Sequence, residues 1–163
     1  MSAEAVALLD VQELASTAHD VVSSFERDFA SELGGAEVHH IGATSLPFGH
    51  TKGDVDVNVR VEADAFPRLV AALGDRLAYA QEGNWTPTFA SFTSDAYDLP
   101  LGVQVTVIGS PDDFLLALRD RMRADRALLE RYDEAKLAAA PGGADRYWEA
   151  KDALLREILS DER

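Results

Sequence analysis

Cysteine is absent from the chain, which excludes disulfides and thiolate-held metal sites together. Lysine is nearly absent: Lys52, Lys136 and Lys151 are the only three among 163 residues. No apolar run approaches the length of a membrane span. The opening stretch, Met1 to Ser16, carries acidic residues where a secretory signal needs basic ones. Positive charge is scarce throughout, with 15 Lys+Arg against 29 Asp+Glu and a net charge of −14. A field of that sign opposes phosphate backbones, so generic DNA or RNA binding is disfavoured. These absences lead us to expect a cytoplasmic protein with neither a membrane nor a nucleic-acid partner. The imbalance is uneven, however. Residues 1–110 hold 16 acidic and 5 basic side chains, and residues 111–163 hold 13 and 10. Arg119, Arg121, Arg123, Arg126 and Arg131 crowd into the later part, where a local anion site is compatible with an acidic chain.

Apolar residues make up 47% of the sequence, enough at this length for one buried core in a single domain over residues 1–163. Apolar steps of three and four from Val11 to Leu33 predict an amphipathic helix over 10–33, capped by Asp10 and stopped at Gly34-Gly35. A short strand, Glu37 to Ile41, leads into a loop from Gly42 to Gly53 dense in Gly, Ser, Thr and Pro. From Asp54 to Val61 the valines alternate strictly with Asp54, Asp56, Asn58 and Arg60, the period of a strand with one buried face. A helix over Glu62–Leu73 follows, then strands at Leu77–Gln81, Thr88–Phe92 and Leu101–Ile108. Ser110-Pro111 signals a helix start, and helices are expected at 111–124, 125–139 and 144–160. Helix, mixed strands, then a helical C-terminal part over 111–163: the order argues an α+β domain.

The chemistry concentrates between Gly42 and Val61. Carboxylates at i and i+2 of a strand project to one side and repel each other unless a cation lies between them. Mg²⁺ is the usual cation, held by one or two carboxylates and by substrate phosphates. Asp54 and Asp56 are therefore the candidate metal ligands and catalytic pair. Upstream, the small residues Gly42, Ala43, Thr44 and Ser45 suit close approach to a phosphate, and Lys52 is placed to offset phosphate charge. Each feature also has a plainer reading, as an acidic strand face, a turn and a solvated lysine. Their order along the chain is what makes them specific.

HHIGATSLP followed by TKGDVDVNVRV resembles the signature of GrpB-like (UPF0157) proteins, a branch of the nucleotidyltransferase superfamily. Ile41-Gly42-Ala43, ten residues and Asp54-Val55-Asp56-Val57 fit the superfamily pattern of a hydrophobic residue, Gly, a small residue, a spacer and two alternating acids. Tyr132-x-x-x-Lys136 and Tyr147-x-x-x-Lys151 look like the family's closing helices, and Trp85 with Phe89 to Phe92 like its middle segment. The resemblance covers most of residues 20–160. It implies a mixed β-sheet with flanking helices and a Mg²⁺-dependent transfer of a nucleotidyl group from a nucleoside triphosphate to a small acceptor. The alternative is a non-catalytic binder of a nucleotide or phosphorylated metabolite. Two departures matter. One register of the family aligns Asp56 with the first acid and Asn58 with the second, whereas the superfamily pattern pairs Asp54 with Asp56. The third acid of active members is expected on the Leu101–Ile108 strand, whose outward positions hold Gln104 and Thr106.

Further candidates carry two readings each. His39 and His40 fall on opposite faces of a strand and cannot share a metal; His50 lies in the loop, in reach of a substrate. Trp85 either stacks on a base or closes one edge of the core. Arg119, Arg123 and Arg126 share a helical face interleaved with acids, so a solvated ion-pair face competes with a phosphate contact from Arg119 or Arg123. Lys151, on one face with Tyr147, either closes over a ligand or completes the packing.

Overall fold

The computed structural model describes residues 3–160. In chain order the regular elements are β1 (Leu9–Asp10), α1 (Val11–Asp28), α2 (Ala30–Leu33), β2 (Glu37–Ile41), β3 (His50–Thr51), β4 (Val55–Val61), α3 (Phe66–Gly74), β5 (Ala78–Tyr79), β6 (Phe89–Ser94), β7 (Leu101–Val107), α4 (Leu115–Ala124), α5 (Arg126–Ala139) and α6 (Ala144–Ser160). Five strands form one sheet in the order β2-β4-β7-β6-β5, with β4 and β7 parallel and the other neighbours antiparallel. A mixed sheet with flanking helices and a helical C-terminal part is the expected architecture. None of the helices among the described residues is long and apolar enough to cross a membrane.

The valine alternation determines which face of the sheet is filled. Val55, Val57 and Val59 are fully buried beside Val103 and Val105 of β7, and they pack with Ala18, Val21 and Phe25 of α1 and Leu69 and Leu73 of α3. A second core lies among the C-terminal helices, where Leu118, Met122, Leu129, Tyr132 and Ile158 close around Leu46 of the loop. Leu46 thus ties the loop to the helical part, and the opposite sheet face is left polar along Asp56, Asn58 and Arg60.

Several element boundaries differ from the sequence reading, each for a local reason. The helix expected over 10–33 is capped by Asp10, which accepts from the Gln12 amide at 2.8 Å, but it breaks at Phe29. The ring of Phe29 turns into the core beside Phe25, and a single extra turn follows. The helix expected from Glu62 starts only at Phe66, where Pro67 occupies the first turn. The start signal at Ser110-Pro111 does not open α4 until Leu115. Residues 110–114 instead form a turn that presents Asp113 to Arg60, bidentate at 2.8 Å, and to the Gly109 amide. Within the loop, His50 and Thr51 pair with Leu9 and Asp10 as a small ribbon that the sequence does not announce.

Candidate functional site

Strand register places the site. Asp56 sits opposite Ile41 on one side and Gly102 on the other, at the end of β4 from which the loop departs. A side chain at either glycine next to its carboxylate would crowd it. A Cβ on Gly102 would lie 2.4 Å from Asp56 Oδ1, and one on Gly42 2.7 Å from Oδ2. Gly42 also holds φ at +74°, a conformation that glycine adopts without penalty. The carboxyl group is thus wedged between two backbone segments. Burial raises its pKa from 3.8 to about 6, Asp54 adds to the rise, and Lys151 and Lys52 oppose it.

Asp56 opens onto a cleft of about 790 Å³, whose walls include Asp54, Gly102, Gln104, Trp148 and Lys151. Asp54 precedes β4 and is more exposed; Lys52 Nζ approaches its Oδ2 at 3.7 Å. Burial pulls the Lys151 ammonium below its ordinary range, with the Asp56 and Asp54 charges acting against that effect. Lys52 and Lys151 both lie over the Trp148 ring, 4.4 and 4.7 Å from its centroid. Tyr147, fully buried beneath, has its phenol pushed to about 12, first by burial and then by the Asp54 and Asp133 charges. The cleft therefore brings Asp54, Asp56, Lys151 and the Trp148 ring together, with Lys52 beside Asp54.

Other candidates from the sequence have different partners. Thr44 and Ser45 are buried. The Thr44 hydroxyl donates to the Asp54 carbonyl at 3.2 Å, and that of Ser45 to the Gly42 carbonyl at 2.6 Å, so both stiffen the loop internally. Ala43 lies in the same short turn. His50 is held by Asp133 of α5 through its backbone amide at 2.7 Å and its ring at 3.0 Å. Trp85 donates to the Ala80 carbonyl and packs against Tyr79 and Phe92, which makes it a core-edge residue. Arg119 donates to the His40 carbonyl and Arg123 to that of Ser45, so the arginine face fastens α4 to β2 and the loop. Neither a base platform at Trp85 nor a free phosphate hook at Arg119 is formed. Asn58 is wholly buried; its amide donates to the Gln104 carbonyl and to Thr106 Oγ1 at 3.0 Å. Asp54, which lines the cleft, is the carboxylate that accompanies Asp56.

Two residues of the site escape the sequence reading. Gly102 interrupts a valine-rich strand, and an isolated strand glycine signals close approach of another group. Trp148 falls beside the buried stripe of α6 formed by Tyr147, Leu154 and Ile158, and an aromatic off that stripe is a visible oddity.

Fold and site together define a small α+β domain with an acid pair on a central strand, next to a glycine-containing loop. The chain belongs to the GrpB family: the model of the GrpB protein family matches residues 10–161. A UPF0157 protein of Vibrio cholerae is 26% identical over 149 residues, covering 90% of this chain and 78% of the relative. The crystal structure of the conserved protein GrpB from Enterococcus faecalis superposes with a TM-score of 0.68 at 18% identity, covering 94% of this chain and 99% of that one. That likeness shows the fold. A likeness to the Cid1 poly(U) polymerase, with a TM-score of 0.38 at 13% identity over 85% of this chain and 53% of that one, is too slight to bear on the reading.

Proposed function

We propose that this protein binds a Mg²⁺-complexed nucleotide in the Asp54–Asp56 cleft and transfers its nucleotidyl group to a small acceptor. The observation that carries this is the Asp56 carboxylate, crowded by Gly42 and Gly102 and sharing a roomy cleft with Asp54 and Lys151. Among the described residues no group of three or more His, Cys, Asp or Glu side chains is arranged to hold a metal. Two hard carboxylate oxygens suit a Mg²⁺ ion that takes its remaining ligands from phosphate and water. When bound, the ion supplies charge neutralisation and alignment of the α-phosphate. Lys52 and Lys151 offset the other phosphate charges. The acceptor hydroxyl then attacks the α-phosphorus in line and loses its proton to water, and pyrophosphate leaves with the broken bond's electron pair.

One observation favours a second reading, a binder without turnover. The place beside Asp56 on β7, where a third carboxylate would complete the set, is Gly102, and the next outward position is Gln104. The two readings part on a simple pair of measurements. ATP with Mg²⁺ at 100 times its Kd stabilises a binder by about 2.7 kcal/mol, a melting shift of about 5–10 °C for a chain of this size. Asp56→Ala should abolish that shift. Pyrophosphate release at the same concentrations supports transfer; a shift without release supports the binder. No shift in the wild type would refute both.

A further inference from the structure

The two tryptophans of the chain have opposite circumstances. Trp85 has its indole N–H bonded to a carbonyl and its ring inside an aromatic cluster. Trp148 is 41% exposed, and its indole N–H has no partner among the described residues. It touches Tyr147 edge-on, with centroids 5.9 Å apart, and otherwise faces the cleft. Trp148 lines the same cleft as Asp54, Asp56 and Lys151, so its exposed surface is one against which a planar ring can pack. The groups over its ring are Lys52 and Lys151, ammoniums on flexible stems that an arriving phosphate attracts more strongly than an aromatic face does.

From this geometry we propose that Trp148 is the stacking platform for the ligand's base, so that the ligand is a nucleotide and not an aliphatic phosphorylated metabolite. This rests on the reading of the cleft given above and adds the chemical class of the ligand's organic part. On binding, Lys52 and Lys151 turn from the indole toward the phosphates, and the planar base covers the ring they leave. Stacking on an aromatic side chain is tolerant of base identity because every base has a π-face. The platform therefore requires a base without choosing which one.

The test compares ATP with inorganic tripolyphosphate, both with Mg²⁺, by isothermal titration calorimetry on the wild type, Trp148→Ala and Trp148→Phe. Loss of one base stack weakens binding by about tenfold or more. Trp148→Ala should thus lose at least that factor for ATP and stay within twofold of wild type for tripolyphosphate, with Trp148→Phe recovering most of the loss. In Trp85→Phe, where Trp148 is the sole tryptophan, ATP should change the indole emission and tripolyphosphate much less. Equal affinity of Trp148→Ala and wild type for ATP overturns the platform, as does an equal loss for both ligands. If tripolyphosphate binds the wild type as tightly as ATP does, stacking falls while the phosphate site stands. If neither binds, the reading of the cleft falls and the platform with it.

Discussion

Replacing Asp56 by asparagine should stabilise the protein above pH 7 and do little at pH 4. The folded chain holds the Asp56 carboxyl at a pKa of about 6 against an ordinary 3.8, and burial is the main cause. Between those two values the folded state binds more protons than the unfolded one, so this group's contribution to stability falls as pH rises through about 6. At 1.36 kcal/mol per pH unit, the ionised carboxylate costs about 3 kcal/mol at pH 8. Asparagine keeps the size of the carboxyl group and removes its charge. Allowing for imperfect mimicry of a protonated carboxyl, Asp56→Asn should gain about 2–3 kcal/mol at pH 8, a rise of about 4–12 °C in melting temperature. At pH 4 the two proteins should agree to within about 1 kcal/mol. The comparison must be a difference between variant and wild type, because His40 works in the opposite sense. Burial, then Arg123 and Arg119, hold its pKa near 4, so its contribution grows as pH rises from about 4 to 6.5. That slope is common to both proteins and cancels. The assay is a series of thermal melts from pH 4 to 8 in metal-free buffer. An Asp56→Asn protein less stable than wild type at pH 8, or a gap independent of pH, would refute the reasoning.

Two further predictions follow from the same geometry. Gly102→Ala sets a methyl group against Asp56 Oδ1. It should cost about 1–3 kcal/mol by overpacking and abolish the melting shift with Mg²⁺ and ATP, whereas Gly83→Ala, with open space around it, serves as a control that changes neither. Arg119→Ala removes a donor from the His40 carbonyl and should lose about 1–3 kcal/mol of stability, yet calorimetry on the folded variant should find nucleotide affinity within twofold of wild type. A tenfold or greater loss of affinity would return Arg119 to the ligand site.

How much of this was legible beforehand depends on the kind of interaction involved. The sheet and its buried face follow from the strict valine period at 55–61, because alternation is a local property of a strand. Asp54 and Asp56 are legible for the same reason. What sequence could not show is where hydroxyls and guanidinium groups find partners. Thr44 and Ser45 look like phosphate donors until the loop curls and supplies carbonyls within 3.2 Å. Arg119 looks free until α4 crosses the end of β2, an arrangement fixed by contacts 79 residues apart in sequence. The pairing of Gly102 with Asp56 is likewise a matter of register between distant strands.

The distribution of lysine bears on what the cleft receives. Lys52 and Lys151 face the acid pair, and Lys136, 2% exposed beneath them, donates to the His50 carbonyl while its pKa falls to about 8. The cause is burial first and then the charge of Lys151, itself depressed by burial first and then by Lys52. In a chain with net charge −14, Lys151 thus lies close enough to feel the charge of both other lysines. Asp54 and Asp56 answer two of those charges when the cleft is empty, which keeps the arrangement tolerable. A bare polyphosphate would relieve the lysines but meet the carboxylates. A phosphate that arrives with a divalent cation relieves both sets at once, the anion against the ammoniums and the cation against Asp54 and Asp56. In the proposed reading, that pattern suits a metal-complexed phosphate better than either ion alone.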